Sequence, residues 1–361
     1  MERILFVMGN MGLGGAETHI MKVYRKINKT QYQFDFVLNV VEKCYYEDEI
    51  LSLGGKIYRV TPKSTSIMKN YSDIKSIVSD NKYRVVFKCG EHALSWTEMM
   101  AAKRGGAKSR IIRSTNSEVD TFKAKVLHYI SRPLLRHYVT KKVAPSKVSG
   151  EWMFGKHYCR DLNLVNNGIN LDDYAFDKEK RETIREKYNV TNKLVWGHIG
   201  RFAPQKNHDF LINIFYKYHK ENPESALMLV GNGNLQDTIK EKVKHLNIED
   251  SVIFVGETAV PGDFYSAMDM FVFPSFYEGM PNTVIEAQAS GLKCFVSDTI
   301  TRDANITDNV EYIPLDESEW LKTIMDSRSN LRKNEGIKEM FERSRYDIDS
   351  VIDIYISLFG I

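Results

Sequence analysis

The chain has 361 residues, 43% of them apolar and 27% charged, which is too long for one ordinary α/β domain and fits two of roughly 150–200 residues each. Four widely separated cysteines (Cys44, Cys89, Cys159, Cys294) contain no C-x-x-C pair, which argues against a disulfide scaffold or a cysteine metal site and suits a reducing cytosol. The apolar run Ile4–Met8 is too short for a signal-peptide core, and no stretch approaches the roughly 18 apolar residues of a membrane span, so the chain is not expected to cross a membrane. The net charge of +3 hides an asymmetry: between Met99 and Gly150 twelve basic residues face only Glu118 and Asp120, a local +10 that leaves −7 for the rest. Two readings stand for this tract, an anionic partner or a merely solvated basic face.

Short apolar strands alternate with amphipathic helices, the pattern of parallel sheets covered on both faces. Strands are predicted near 3–8, 33–40, 56–60, 84–88, 109–114, 142–145 and 162–166. The first ends in Gly9-Asn10-Met11-Gly12-Leu13-Gly14-Gly15-Ala16-Glu17, where glycines let the backbone approach a phosphate or sugar before a helix start. A tight turn without a ligand explains this stretch equally well. The following helix is marked by Ile20, Val23, Tyr24 and Ile27. The cluster Asn166–Asn170 reads as a joint. A second series then begins, with strands at Leu194–Ile199, Ala226–Val230, Val252–Val255, Met270–Pro274 and Cys294–Ser297. The fold class predicted is α/β, with two doubly wound Rossmann-like domains, 1–170 and 171–344, facing across a cleft. A terminal helix in 345–361 carries the stripe Ile348, Val351, Ile352, Tyr355 and Phe359, with packing back onto the first domain as one option.

Two stretches of the second series carry chemistry. Gly200-Arg201-Phe202-Ala203-Pro204-Gln205-Lys206-Asn207-His208 sets two cations five residues apart at a strand's carboxyl end. Arginine offers a planar fork and lysine a movable point charge, a suitable clamp for a diphosphate. Further on, Glu278-Gly279-Met280-Pro281-Asn282-Thr283-Val284-Ile285-Glu286 begins a helix at Met280-Pro281, whose first amides lie near Asn282, Thr283 and Val284. Glu278 and Glu286 bracket that helix start and suit two sets of hydroxyls. An acid/base pair of the kind that hydrolyses glycosides is the competing reading.

The segments "GRFAPQKNH" and "EGMPNTVIEA", in this order, resemble the signature of glycosyltransferase family 4, and "GLGGAE", "NNGI" and "VGNGNL" at 230–235 are similar to it too. The resemblance spans nearly the whole chain. It implies the two-domain GT-B fold, transfer from a nucleotide-diphosphate sugar with retained anomeric configuration, and no cofactor or metal. It further implies that Arg201 and Lys206 neutralise the diphosphate, Glu286 binds the ribose and Glu278 faces the sugar. Main-chain groups from Gly279, Met280, Pro281, Asn282, Thr283 and Val284 would hold sugar and phosphate oxygens. Gly14 and Gly15 would let the first domain close on the diphosphate, and Gly231 would sit near the nucleotide. UDP is the base that the family suggests.

One departure stands out. Where many relatives carry histidines in a segment like "HSHN", this chain has Arg113-Ser114-Thr115-Asn116, with Thr115 at the second histidine's place, and Phe87 and Cys89 replace an upstream pair. A front-face reaction, in which the leaving phosphate accepts the acceptor's proton, does not require them. His92 reads as structural, and Asp347-Ile348-Asp349 reads as a solvated helix face.

The stretch from Phe122 to Val143 mixes Lys, Arg and His with Leu, Ile, Tyr and Phe, and Pro133 is expected to kink or split its helix. Lys123, Lys125, Arg132, Arg136, Lys141 and Lys142 are candidates for an anionic bilayer, which would suit a glycan or lipid-linked acceptor in surface-polysaccharide synthesis at the inner face of the cytoplasmic membrane. The alternative makes Leu127, Ile130, Leu134 and Leu135 an ordinary core stripe. Nucleic acid is not expected, since no binding motif accompanies the charge. Two other functions remain: an epimerase of the same architecture, and a nucleotide-sugar-binding partner subunit of weak activity, for which Thr115 is the support.

Overall fold

The computed structural model describes residues 1–115, 122–258, 260–278, 280–327, 331–333 and 335–360. Among them β1 (Glu2–Val7), β2 (Tyr32–Leu38), β3 (Ile57–Arg59), β4 (Val85–Gly90), β5 (Ser109–Ser114), β6 (Lys141–Ala144) and β7 (Leu162–Leu164) form a seven-stranded sheet in the order β3-β2-β1-β4-β5-β6-β7. A six-stranded sheet contains β8 (Leu194–Ile199), β9 (Ser225–Val230), β10 (Val252–Gly256), β11 (Met270–Phe273), β12 (Lys293–Ser297) and β13 (Val310–Ile313), ordered β10-β9-β8-β11-β12-β13. Every pairing is parallel. Strands buried on both faces must be apolar throughout, as in Ile4-Leu5-Phe6-Val7, where no residue is exposed.

The chain divides into two compact units, Met1–Gly168 with Ile348–Ile361, and Ile169–Asp347. The first unit recovers the chain's last helix, Ile348–Phe359, for a packing reason. Phe6, Phe34, Phe36 and Phe87 form an aromatic face on β1, β2 and β4, and Tyr355 stacks on Phe87 at 5.4 Å between centroids. The Tyr355 hydroxyl bonds His19 Nε2 at 2.9 Å, so its polar end is satisfied while the ring is buried. In the second unit Trp196, Phe215 and Tyr218 fill one side of the sheet, and Phe271 and Phe273 lie on the other.

Several sequence expectations need correction. β13 was not foreseen: of its four residues only Ile313 is buried, and Glu311 is exposed. Asp347 is not on a solvated helix face, because it precedes the helix, is 8% exposed and bridges Ile169; Asp349 alone of the pair is exposed. Pro133 does not split its helix, which runs from Phe122 to Tyr138. The proline is on the solvent side, where the carbonyl four residues back is free to turn towards water.

The basic face also resolves differently. Arg132 donates to the carbonyls of Glu151 and Trp152, and Arg136 Nε to Phe154 O at 2.8 Å, so both cap the last turn of the helix Lys147–Phe154. Lys141 Nζ caps the terminal helix at Leu358 O, 2.6 Å away, and Lys142 pairs with Asp161 at 2.6 Å. Four of the six cations assigned to a bilayer are therefore used inside the unit. The competing core stripe fails too: Leu127, Ile130 and Leu134 are exposed, and Leu135 alone of the four is buried.

Candidate active site

In the second sheet the strand order reverses between β8 and β11, the place where such folds gather ligands. After β8, Gly200–Ala203 leads into a 3-10 turn, Pro204–Lys206, and then the helix His208–Glu221. Asn207 joins them with φ 55° and ψ 45°, a left-handed conformation that asparagine tolerates better than most residues. Its side-chain amide donates to Pro274 O at 3.1 Å. Gln205 ties the same two loops from the other side. Its carbonyl accepts from Phe276 N–H at 2.9 Å, and its Nε2 donates to Tyr277 O at 2.8 Å. Lys206 Nζ is thereby held 2.7 Å from Glu278 Oε1 and 4.6 Å from the centre of the Phe273 ring. The two side chains of this ion pair are 16% and 12% exposed, so water screens it only partly. Arg201 stands exposed beside the buried Phe202.

Gly231, at the end of β9, has φ 134°, and a Cβ there would collide with Gly200 O. Only glycine lets these two backbones meet, and Phe202 N–H then bonds Asn232 O at 2.9 Å. Across the switch point, Pro281 is buried and precedes the helix Asn282–Ala289. The helical ladder opens with Val284 N–H bonding Pro281 O at 3.0 Å, so the amides of Asn282 and Thr283 lie ahead of it at the positive end of the helix. Met280 Sδ receives the Tyr346 hydroxyl at 3.3 Å. Gly279 lies outside the described residues.

Glu286 is fixed by two tyrosines: Tyr174 donates to Oε1 at 3.0 Å and Tyr265 to Oε2 at 3.1 Å. Burial, with the Glu286 charge beside it, pushes the Tyr265 phenol well above its ordinary range, so it remains a donor. Thr283 Oγ1 and Ser275 Oγ are buried without a hydrogen-bond partner among the described residues, an uncommon condition for a hydroxyl. The structure thus gathers Lys206, Glu278, Glu286 and the 280–284 segment around one switch point. Sequence reasoning missed Tyr174, Tyr265, Gln205 and Asn207. The last two lie within the recognised motif, whereas nothing local marks Tyr174, which is 112 positions from Glu286.

Gly14 and Gly15 belong to the first unit, where Gly14 caps the helix Gly15–Lys26. A Cβ on Gly14 would strike the Glu17 carboxylate, whereas Gly15 borders open space. Thr115 donates its hydroxyl to Gly90 O at 3.1 Å. Cys89 is buried, which pushes its thiol up to about 11 and leaves it protonated near neutrality. Beside it the structure reveals a buried charge cluster. Glu98, 1% exposed, accepts from Lys63 and lies 3.5 Å from Lys88. Burial raises the carboxyl of Glu98, but Lys88 and Lys63 together hold it below its usual range. A lysine inside the apolar strand Val85-Val86-Phe87-Lys88 was the available signal, since a buried charge needs a partner.

A model of the family described as glycosyl transferases group 1 matches residues 180–318, which span the switch-point loops. A Bacillus subtilis (strain 168) protein named as a glycosyltransferase, EpsF, is 30% identical over 100% of this chain and 97% of its own length. The chain belongs to this glycosyltransferase family. The Staphylococcus aureus capsular polysaccharide biosynthesis glycosyltransferase CapH is 21% identical, covering 93% of this chain and 94% of its own. Among solved structures, Anabaena HepE in complex with UDP and glucose superposes with a TM-score of 0.79 at 16% identity and full coverage of both chains. The fold of this glycosyltransferase is GT-B.

Proposed function

We propose that this glycosyltransferase moves a sugar, with retention at the anomeric carbon, from a UDP-sugar to a glycan or lipid-linked acceptor in surface-polysaccharide synthesis on the cytoplasmic side of the membrane. The observation that carries the reading is the Lys206–Glu278 pair, zipped between two loops at the switch point and next to the helix start at Asn282. Lys206 and Arg201 would take the diphosphate, with the helix-start amides adding donors. Glu278 would accept from sugar hydroxyls. Glu286, oriented by its two tyrosines, would take the ribose hydroxyls. Gly14 and Gly15 would approach the diphosphate from the first unit. HepE was crystallised with UDP, and CapH is named for capsular polysaccharide, which favours this donor and this kind of product.

The bond from C1 to the β-phosphate oxygen breaks and its electron pair leaves on the diphosphate. The acceptor oxygen bonds C1 on the same face, and its proton passes to the departing phosphate. Positive charge from Lys206 and Arg201 stabilises that leaving group, so the reading needs no metal ion.

Incubation with a panel of UDP-sugars and lipid-linked acceptors, with product anomers assigned by NMR, tests the reading. Inverted product would overturn retention, and activity abolished by chelator but restored by manganese would overturn metal independence. The Thr115 side chain, committed to the Gly90 carbonyl, favours a second reading as a nucleotide-sugar-binding subunit. Donor binding without turnover on any acceptor would support that one.

A further inference from the structure

The helix Phe122–Tyr138 is inside out. Its buried positions are His128, Ser131 and Leu135, whereas Val126, Leu127, Tyr129, Ile130 and Leu134 are 42–68% exposed. A surface helix ordinarily turns such residues to the core. The inversion has a local cause on the inner side. His128 Nδ1 accepts from Ala93 N–H at 3.0 Å, its Nε2 bonds Trp152 O at 2.9 Å, and its ring stacks on Trp152 at 4.0 Å. Arg132 and Arg136 follow at i+4 and i+8 and cap the helix Lys147–Phe154. These polar contacts fix the rotation of the helix and leave its apolar side outward.

We infer that this outward face is a membrane-insertion surface, which lies flat in the headgroup boundary of an anionic bilayer with Ile130 and Leu134 near its centre. The inference deepens the proposed peripheral attachment and is independent of the donor chemistry. Seventeen residues span about 25 Å, enough to lie in the interface as one amphipathic element. The charges around the strip choose the occupant. Lys123 is exposed on the face itself, and exposed Lys103 and Arg104 end the neighbouring helix Trp96–Arg104, with Lys103 Nζ 5.4 Å from the Tyr138 ring centre. An apolar strip rimmed by cations fits anionic lipid, whose headgroups attract the rim while its acyl chains take the strip. Attachment thus comes chiefly from apolar insertion, with the remaining charges as a secondary attraction.

Co-sedimentation of the whole protein with phosphatidylcholine vesicles, with and without phosphatidylglycerol, tests this. Binding should be stronger with phosphatidylglycerol and should persist in part at about 1 M salt, where the Debye length is about 3 Å. I130E and L134E should each lower vesicle partitioning by about tenfold or more, with unchanged Tm and unchanged UDP affinity. K123E should lower it less. Binding by I130E and L134E equal to wild type, complete release of wild type by salt, or no vesicle binding at all would each overturn the proposal. A concentration-dependent dimer dissolved by I130E would overturn it in favour of a second copy. UDP affinity is read separately, so failure of the insertion leaves the transferase reading standing.

Discussion

The two sheets follow the same construction rules, yet their switch points are held in opposite ways. In the second unit the loops after β8 and β11 are zipped by short-range contacts from Gln205, Lys206 and Asn207, and the charged pair stays partly exposed. In the first unit the helix Trp96–Arg104 that follows β4 carries its charge inward, where Glu98 is buried between Lys63 and Lys88. In the proposed reading, the first arrangement lets a cation exchange its partner for a phosphate. The second consumes its charges in holding a surface together. On the function proposed above, charge serves ligand binding at one sheet end and architecture at the other.

Breaking the buried cluster is expected to have the largest effect. Glu98→Ala leaves two lysines without their carboxylate, at a cost of about 3–5 kcal/mol in urea-unfolding free energy. Because the folded Glu98 carboxyl lies below its ordinary value, its contribution is present above the unfolded pKa and is lost as pH falls through the folded one. The wild type should therefore lose stability in that acid window, and Glu98→Ala should lose less there. An unfolding free energy close to wild type would show that the cluster is not architectural. At the other sheet end the signature should reverse. Lys206→Ala should cost about 2–4 kcal/mol of transition-state stabilisation, read as kcat/KM, with little change in unfolding. Turnover near wild type at saturating donor would remove Lys206 from the mechanism.

The tyrosine clamp sharpens the contrast within the second unit. Tyr265→Phe removes one donor to Glu286 while keeping the ring, and should weaken nucleotide binding by about 1–2 kcal/mol. Glu286→Gln should weaken it by about 1–3 kcal/mol through the lost charged acceptor. Isothermal titration with UDP reads both. A kcat effect without a Kd effect would move Glu286 from the ribose to the reacting sugar.

The same contrast explains what the sequence disclosed. Residues 201–206 and 278–286 are each contiguous, so a switch-point loop and a helix start were legible as motifs. The partners of Glu286 were not, because Tyr174 and Tyr265 reach it from other elements. In the first unit the tract from Met99 to Gly150 disclosed its charge but not its direction. Whether Arg136 or Lys141 meets solvent depends on which helix ends with unsatisfied carbonyls beside it, and those belong to Phe154 and Leu358. Composition counts charges, and only packing tells which of them are spent.

The smallest expected effect tests whether the surroundings of Lys206 tolerate a second charge. His208 is 2% exposed, stacks on Phe202 at 4.2 Å and lies 4.7 Å from the His198 ring. Burial, then the nearby Lys206, lowers its pKa to about 4, so the imidazole is neutral near pH 7. Between about pH 6.5 and 4 the unfolded chain takes up a proton that the folded chain refuses, and stability falls as pH falls through that window. Neither ring nitrogen has a hydrogen-bond partner among the described residues, so His208→Phe keeps the stacking without abandoning a polar contact. At pH 7.5 the variant should match wild type to within about 1 kcal/mol. At pH 5 it should be more stable by about 1–2 kcal/mol, because the proton uptake by the unfolded state is gone. Urea unfolding at the two pH values gives both numbers. Parallel loss of stability in wild type and variant would mean that His208 is protonated in the folded protein, and that the loop beneath Lys206 accommodates two positive charges after all.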